Sequence, residues 1–150
     1  MKVKDILTEN AFTVYPNTSL KEVIRIFHEN NLTSLVVVNE HNEVVGMVTY
    51  SDLFRYLFPD YNEIANHGEY LFDPHSIELR NKPYLDKPIK DFMIKSPESI
   101  DSEKPAIEAA AIMKSYKIKQ LPVTENGKLI GIITIKELLK IFVIEKLKNM

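Results

Sequence analysis

Hydroxyl and carboxylate side chains recur at one fixed spacing in two parts of the chain. The pattern Gly-x-x-Thr-x-x-Asp covers residues 46–52, and residues 131–137 repeat it with Glu137 as the acid. In both places an apolar run precedes the threonine and a helical pattern follows it, so each threonine is predicted to open a helix. A helix N-terminus offers unpaired N–H groups and a partial positive charge, which suit a phosphate group.

The side chains of the first pattern extend this chemistry to a nucleotide. The hydroxyl of Thr49 or Ser51 can donate a further hydrogen bond to phosphate oxygens. Asp52, one turn into the helix, can accept hydrogen bonds from both hydroxyls of a ribose, since an ionised carboxylate only accepts. The same residues also fit an ordinary helix cap, which serves only the chain's own N–H groups. The residues alone leave both interpretations open.

Two copies of one structural unit carry these patterns. Residues 3–7 return as residues 89–93, with apolar and charged positions in the same order. The apolar positions of the first helix are matched by apolar residues in the second copy, namely Leu20, Val23, Ile24 and Phe27 by Ala106, Ala109, Ala110 and Met113. A duplication of this kind directs the search for a function to the seam, the region where the two copies meet.

Each copy is predicted to run strand, helix, strand, turn, strand, helix. The predicted strands are residues 13–15, 35–38, 44–48, 120–124 and 128–133, and the last helix is residues 135–148. Thr18 is predicted to cap the first helix, because Pro105 aligns with Ser19 and proline favours the first helical position.

The segment between the copies, residues 54–88, has no counterpart after the second copy. The first copy is assigned to residues 1–53 and the second to residues 89–150. The segment holds four prolines and seven aromatic residues, which favours a packed excursion with a helical start over a flexible tether. Three of its aromatic side chains are candidates for stacking a base, although core packing is the commoner role: Tyr61, Tyr70 and Phe72.

The amino-acid composition argues against several classes of function. The 150 residues carry a formal net charge of −2 and no dense run of Lys or Arg, which argues against a general binder of nucleic acid or membrane surfaces. No cysteine is present, so disulfides, thiolate metal sites and thiol catalysis are excluded. The sequence shows neither a membrane-length apolar run nor a signal-peptide core, and a cytoplasmic location is predicted.

No catalytic apparatus is visible in the sequence. There is no Walker loop, no glycine-rich dinucleotide loop and no serine in a nucleophile-elbow pattern. The four histidines, His28, His41, His67 and His75, do not share a metal-ligand spacing. The chain is therefore predicted to be neither an enzyme nor a metalloprotein, and to use no resident cofactor.

The duplication, the Leu-Pro-Val at residues 121–123 and the repeated Gly-x-x-Thr-x-x-Asp/Glu pattern resemble the paired cystathionine-β-synthase-type (CBS) domain, or Bateman module. The resemblance covers nearly the whole chain outside the excursion. It implies an α+β fold of tandem β-α-β-β-α repeats packed about a pseudo-twofold axis, with two clefts between them. It also implies that an adenosine-containing ligand, AMP, ADP, ATP or S-adenosylmethionine, binds there and regulates a partner protein.

The resemblance assigns candidate residues to both clefts. In the first cleft, Thr49, Ser51 and Asp52 would face the strand residues Ile118, Lys119 and Gln120, with Ser99 nearby. In the second cleft, Thr134, Lys136 and Glu137 would face Leu32, Thr33 and Ser34, with Thr13 beside them. Lys119 is either a phosphate ligand or a solvated surface lysine. Because Glu137 replaces the usual Asp and carries an extra methylene, the first cleft is predicted to bind adenosine more tightly.

The function predicted from the sequence is a sensor of an adenosine-containing ligand. Two alternatives remain open: a ligand-free module for dimerisation or protein interaction, and binding of RNA or DNA through exposed lysines. A homodimer is predicted as well, because the final helix has an apolar surface wider than one core-facing stripe requires. That surface comprises Ile135, Leu138, Leu139, Ile141, Phe142, Val143, Ile144 and Leu147.

Overall fold

The two copies form two β-sheets in the computed structural model, which describes residues 1–9, 11–67 and 73–150. The first sheet has the strand order β1-β2-β3-β4, with β1 Thr13–Val14, β2 Ser34–Val38, β3 Val44–Thr49 and β4 Ile94–Lys95. The second has the order β5-β6-β7, with β5 Ile100–Asp101, β6 Gln120–Glu125 and β7 Lys128–Thr134. In each sheet the first strand runs parallel to the second, and the second and third form an antiparallel hairpin.

Helices connect and follow these strands. They are α1 Leu20–Asn30, α2 Tyr50–Leu57, α3 Tyr61–His67, α4 Pro74–Asn81, α5 Ala106–Tyr116, α6 Ile135–Leu139 and α7 Glu145–Lys148. A π-helical turn over Lys140–Ile144 joins α6 to α7 in one helical run. Short 3₁₀ helices cover Val3–Asp5, Lys82–Tyr84 and Ile89–Asp91. Each copy therefore has the predicted β-α-β-β-α order, which confirms the α+β fold class.

The predicted cap of α1 is wrong by one residue. Ser19 has an extended backbone and is the N-cap, and its Oγ accepts a hydrogen bond from the Glu22 N–H at 3.3 Å. Thr18 instead accepts from the Tyr15 N–H at 3.1 Å in the preceding turn. In the second copy Pro105 itself is the N-cap of α5. Ser19 and Pro105 are therefore N-caps at equivalent positions of the two copies. Proline is tolerated there because its fixed φ angle also suits the extended backbone of an N-cap.

Two aromatic side chains of the excursion pack against Phe92. The Tyr56 and Tyr84 rings lie edge-on to the Phe92 ring, with centroids 5.3 Å and 6.2 Å away. Tyr61, by contrast, is 88% exposed, so it is not a core residue. Two other aromatic residues of the excursion lie outside the described residues: Tyr70 and Phe72. The excursion therefore supports the position of the segment that begins the second copy.

The first segment of each copy packs into the core of the other copy. Val3 and Ile6, from the first copy, are buried in the hydrophobic core of the second. Ile89 and Phe92, from the second copy, are buried in the core of the first. Burial of such side chains is worth roughly 1.5–3 kcal/mol each. The units that pack together are therefore not the units that repeat along the chain.

Equivalent hydrogen bonds hold the two exchanged segments. The Val3 N–H donates to the Lys104 carbonyl at 2.8 Å, and the Ile89 N–H donates to the Thr18 carbonyl at 2.7 Å. Both donors and both acceptors occupy matching positions in the two copies. The exchange is therefore symmetric, as a pseudo-twofold arrangement requires.

The two sheets meet at a separate apolar cluster on the seam. Val36, Val38 and Leu129 are buried there, with Val44 and Ile132 half-buried beside them. The Asn42 side-chain amide also donates to the Leu129 carbonyl at 3.0 Å, and the Leu129 N–H donates to the Asn42 carbonyl at 3.0 Å. The hairpin turn of the first copy is therefore tied to the hairpin of the second.

The glycine of each repeated pattern lies where an exchanged segment crosses a sheet. A Cβ atom built on Gly131 would lie 2.5 Å from the carbonyl oxygen of Thr8 and 2.6 Å from Leu7 Cδ1. A Cβ atom on Gly46 would overlap the Sδ atom of Met93. Both patterns therefore need glycine for close approach of the other copy rather than for an unusual backbone angle.

Gly131→Ala should destabilise the protein more than Gly46→Ala. The Thr8 carbonyl is backbone and also participates in a bridge to Ile132, so the chain must shift to admit the new methyl group. Overpacking of this kind costs about 1–3 kcal/mol. Met93 is a flexible side chain that can change rotamer instead. Urea denaturation of the two matched variants measures the difference, and equal losses would contradict this account of the glycines.

Neither a membrane span nor a metal cluster is found in the described part of the chain. Within residues 1–9, 11–67 and 73–150, no helix combines the length and the apolar character that crossing a bilayer requires. The same residues contain no group of three His, Asp or Glu side chains placed to hold a metal ion.

Candidate ligand-binding site

A cavity of about 330 Å³ opens beside α2. Its lining consists of Asp52, Arg55, Tyr56, Phe92, Met93 and Ile94. The first three residues come from α2, which begins in the first copy and runs into the excursion. The other three come from the exchanged segment of the second copy. The pairing of Ile94 with Met47 of β3 sets that segment beside the first sheet. Residues from both copies therefore line the cavity. All of them surround the first sheet and its core, because the segment from the second copy packs there.

Thr49 caps α2, as its sequence pattern predicts. Its Oγ1 accepts a hydrogen bond from the Asp52 N–H at 3.1 Å. The Tyr50 N–H donates to the Thr33 carbonyl at 3.0 Å, and Ser51, between these two residues, is exposed. Two N–H groups of the first turn therefore have partners within the protein. The cap explains the position of Thr49 but does not explain the side chain of Asp52.

The carboxylate of Asp52 is only half satisfied. Its Oδ1 accepts a hydrogen bond from the Arg55 guanidinium at 3.1 Å. Its Oδ2 is enclosed and has no hydrogen-bond partner among the described residues, and the side chain as a whole is only 19% exposed. An enclosed carboxylate oxygen without a partner destabilises the protein, because it has lost hydrogen bonds to water. A hydroxyl group in the cavity would supply the missing donor.

The second pattern repeats the cap without the unsatisfied acid. Thr134 Oγ1 accepts from the Glu137 N–H at 3.2 Å, and the Ile135 N–H donates to the Lys119 carbonyl at 3.1 Å. Glu137 is half-buried, but its carboxylate oxygens are not among the enclosed unpartnered atoms of the described residues. Lys136, beside it, is exposed. The two patterns therefore share their backbone geometry and differ at the carboxylate.

The strand residues assigned to the first cleft lie next to the second pattern. Ile118 packs half-buried against the core of the second copy, and Lys119 is exposed. Gln120 begins β6 and pairs with Thr134 in the hairpin. Ser99 is exposed and directly precedes β5. None of these four assigned residues, 99 and 118–120, lines the cavity at Asp52.

The residues assigned to the second cleft are similarly placed next to the first pattern. Ser34 pairs with Thr49 in the hairpin of the first copy, and Leu32 packs against the first core. Thr13 is exposed and lies in β1. Across the seam, the Gln120 side-chain amide donates to Thr33 Oγ1 at 3.1 Å. This hydrogen bond brings the starts of β2 and β6 together, and it joins the two assigned residue sets.

Sequence reasoning found Asp52 but missed the other cavity residues. Arg55 and Tyr56 follow Asp52 by one helical turn, so helical spacing could have predicted that they share a face of α2 with Asp52. Met93 is the last residue of the repeated segment 89–93, and Ile94 follows it, but the repeat does not indicate which core receives that segment. Only long-range packing places them against α2.

Comparisons with known proteins identify the family. The model of the CBS domain family matches residues 3–59 and residues 89–144, one match for each copy. The inosine-5′-monophosphate dehydrogenase of Aquifex aeolicus is 32% identical over 132 residues, which are 87% of this chain. The chain spans 22% of the length of that enzyme, and 31% of the length of the Methanocaldococcus jannaschii protein MJ1404.

Solved structures show the same fold. A crystal structure of CBSX2 in complex with AMP superimposes with a TM-score of 0.73 at 26% sequence identity, and the match covers 97% of this chain and 98% of that one. The CBS domain pair of protein MJ0100, in complex with 5′-methylthioadenosine and S-adenosyl-L-methionine, superimposes with a TM-score of 0.70 at 23% identity over 97% and 98% of the two chains. The predicted resemblance is thereby confirmed: the chain belongs to the CBS domain family.

Proposed function

We propose that this chain is a regulatory module that binds an adenosine-containing ligand in the cavity at Asp52 and signals the bound state to a partner protein. The candidate ligands are AMP, ADP, ATP and S-adenosylmethionine. The observation that carries the proposal is the enclosed, unpartnered Oδ2 of Asp52 beside a cavity. Further support comes from CBSX2, a structure that contains AMP and is 26% identical to this chain.

The rest of the lining suits a nucleoside. The volume of about 330 Å³ falls at the lower end of the range for small-molecule sites. Tyr56 offers aromatic surface, and Met93 and Ile94 offer apolar surface, to a base. Asp52 then accepts from ribose hydroxyls, because its carboxylate is an acceptor only. The predicted role of Thr49 and Ser51 as phosphate ligands is a separate prediction, because neither residue lines this cavity. We propose the second cleft as a weaker site.

Ligand binding would act by shifting a conformational equilibrium. A nucleoside in the cavity contacts α2 on one side and residues 92–94 on the other. Residues 94–95 form β4 of the first sheet, and the chain then continues to β5 of the second sheet, so a shift of β4 is transmitted to the second sheet. A ligand shifts the equilibrium between two arrangements only by its difference in affinity for them. The module then regulates without catalysing a reaction or holding a resident cofactor, and we place it in the cytoplasm.

A melting screen tests the proposal. The midpoint of thermal unfolding is measured alone and with millimolar AMP, ADP, ATP or S-adenosylmethionine, with GMP as the matched control for phosphate and ribose. A ligand at a hundred times its dissociation constant stabilises the folded state by about 2.7 kcal/mol. We expect at least one adenosine ligand to raise the midpoint, and GMP to raise it less. An unchanged midpoint with every adenosine ligand would overturn the proposal.

The alternatives predict different outcomes in the same screen. A ligand-free interaction module shows no shift with any nucleotide. A nucleic-acid binder shows no preference among nucleosides, and its affinity for an oligonucleotide falls steeply with added salt. The net charge of −2 makes the second alternative the weaker one.

A further inference from the structure

Among the described residues, Arg55 is the only cationic side chain that lines the cavity at Asp52. It lies one helical turn after Asp52, and its Nη1 donates to Asp52 Oδ1 at 3.1 Å. Its side chain is 75% exposed, whereas that of Asp52 is 19% exposed. The acid is therefore set inward and the guanidinium lies at the solvent side of the same cavity.

The contact between the two side chains leaves both with unused hydrogen-bonding capacity. A guanidinium has five N–H donors, and the described contact with Asp52 uses one of them. Asp52 keeps Oδ2 for a ligand hydroxyl, because Arg55 contacts the other oxygen. The pair therefore presents one acceptor and several donors to a ligand, side by side.

The charges of the lining also balance. Asp52 and Arg55 are the only ionised groups among the six lining residues, so their charges cancel. An isolated carboxylate would repel a phosphate group, whereas a carboxylate already paired with a guanidinium does not. The planar fork of a guanidinium matches two phosphate oxygens. The lining is therefore compatible with an anionic ligand, even though Asp52, which would bind the ribose hydroxyls, is itself negatively charged.

We infer that Arg55 determines ligand specificity at this cavity, by binding the anionic 5′ substituent of a nucleoside whose ribose is held by Asp52. The inference rests on the proposed function and sharpens it, because it selects a nucleoside 5′-phosphate from the adenosine ligands. Uncharged adenosine lacks the group that Arg55 binds. S-adenosylmethionine carries a carboxylate to which a guanidinium can also donate, but its sulfonium adds a positive charge beside Arg55.

Calorimetric titration of AMP, adenosine and S-adenosylmethionine into the full chain at one ionic strength tests the inference. The test variant is Arg55→Met, which keeps a long side chain and removes the charge. Lys95→Met is the matched control, because Lys95 is an exposed cation next to Ile94 but does not line the cavity. Arg55 is largely exposed, so its replacement is not expected to prevent folding.

The wild-type chain should bind AMP at least about tenfold more tightly than adenosine, and more tightly than S-adenosylmethionine. In Arg55→Met the ratio of AMP affinity to adenosine affinity should fall to near one, whereas Lys95→Met should keep the wild-type ratio. Equal binding of AMP and adenosine by the wild type, tighter binding of S-adenosylmethionine, or an unchanged ratio in Arg55→Met would overturn the inference and leave the proposed function standing. No binding of any of the three ligands would overturn both.

Discussion

Asp52→Ala should weaken AMP binding at least about tenfold, whereas Glu137→Ala should have a much smaller effect. Asp52 has an enclosed carboxylate oxygen with no partner in the part of the chain that the structure describes, and Glu137 does not. Hydrogen bonds to a charged group are worth about 1.5–3 kcal/mol each, and about 1.4 kcal/mol corresponds to tenfold in affinity. Calorimetric titration of AMP, ADP and ATP into both variants measures the difference.

Neither alanine substitution removes a helix cap. The cap of α2 uses the Asp52 N–H and the Thr49 hydroxyl, and both remain in Asp52→Ala. The equivalent bond to Thr134 remains in Glu137→Ala. A further variant, Asp52→Asn, keeps the shape of the side chain and removes its charge, so it should also weaken binding. Equal losses in the two alanine variants, once each is shown to be folded, would mean that the working cleft is assigned wrongly.

The protein should be a homodimer in solution, with a molecular mass twice the 17.3 kDa of the chain. A second cavity, of about 450 Å³, lies between α5 and the final helical run and is almost wholly apolar. Its lining includes Ile107, Leu139, Phe142 and Val143, all of which are exposed in the single chain. Contiguous apolar surface of this kind marks interaction sites more often than free surface. Multi-angle light scattering at micromolar concentration measures the mass.

Phe142→Asp should convert that dimer to a monomer, because it places a charge in the middle of the apolar lining. Lys140→Asp is the matched control, since Lys140 lies in the same helical run, is exposed and does not line the cavity. Phe142 is 38% exposed, so its replacement disturbs the core less than a buried position would. A wild-type monomer at these concentrations, or a dimer that survives Phe142→Asp, would refute the assignment of this surface.

Local signals in the sequence predict most of the secondary structure. Strands and helices follow from hydrophobic periodicity, and the caps at Thr49 and Thr134 follow from hydroxyl side chains placed three residues before an acid. The error at Thr18 has the same local origin. Both Thr18 and Ser19 have a hydroxyl that can cap a helix. Ser19 does so because the Thr18 hydroxyl accepts a hydrogen bond in the preceding turn instead.

The residues around Asp52 show where sequence reasoning ends. Carry-over from the family pattern paired Asp52 with residues 118–120, but residues 92–94 line its cavity. Asp52 could be predicted as a ligand residue, because that prediction depends only on its own side chain and on the helix that begins beside it. The residues that line the cavity with it could not be predicted in the same way, because residues 92–94 belong to a segment whose place in the fold no local pattern reveals.

By itself, the sequence determined that the chain is a duplicated β-α-β-β-α unit with a capped helix and an acid in each copy, since each of these features depends on neighbours within a few residues. Only the tertiary structure decided that the segments holding Val3 and Ile89 exchange cores, and thus that a cavity is shared between α2 and residues 92–94. The two segments have nearly the same apolar pattern, so either core accepts either segment by hydrophobicity alone. Backbone hydrogen bonds and close contacts at Gly46 and Gly131 hold the exchanged segments in place. These interactions join residues that are far apart in sequence, so no local pattern reveals them.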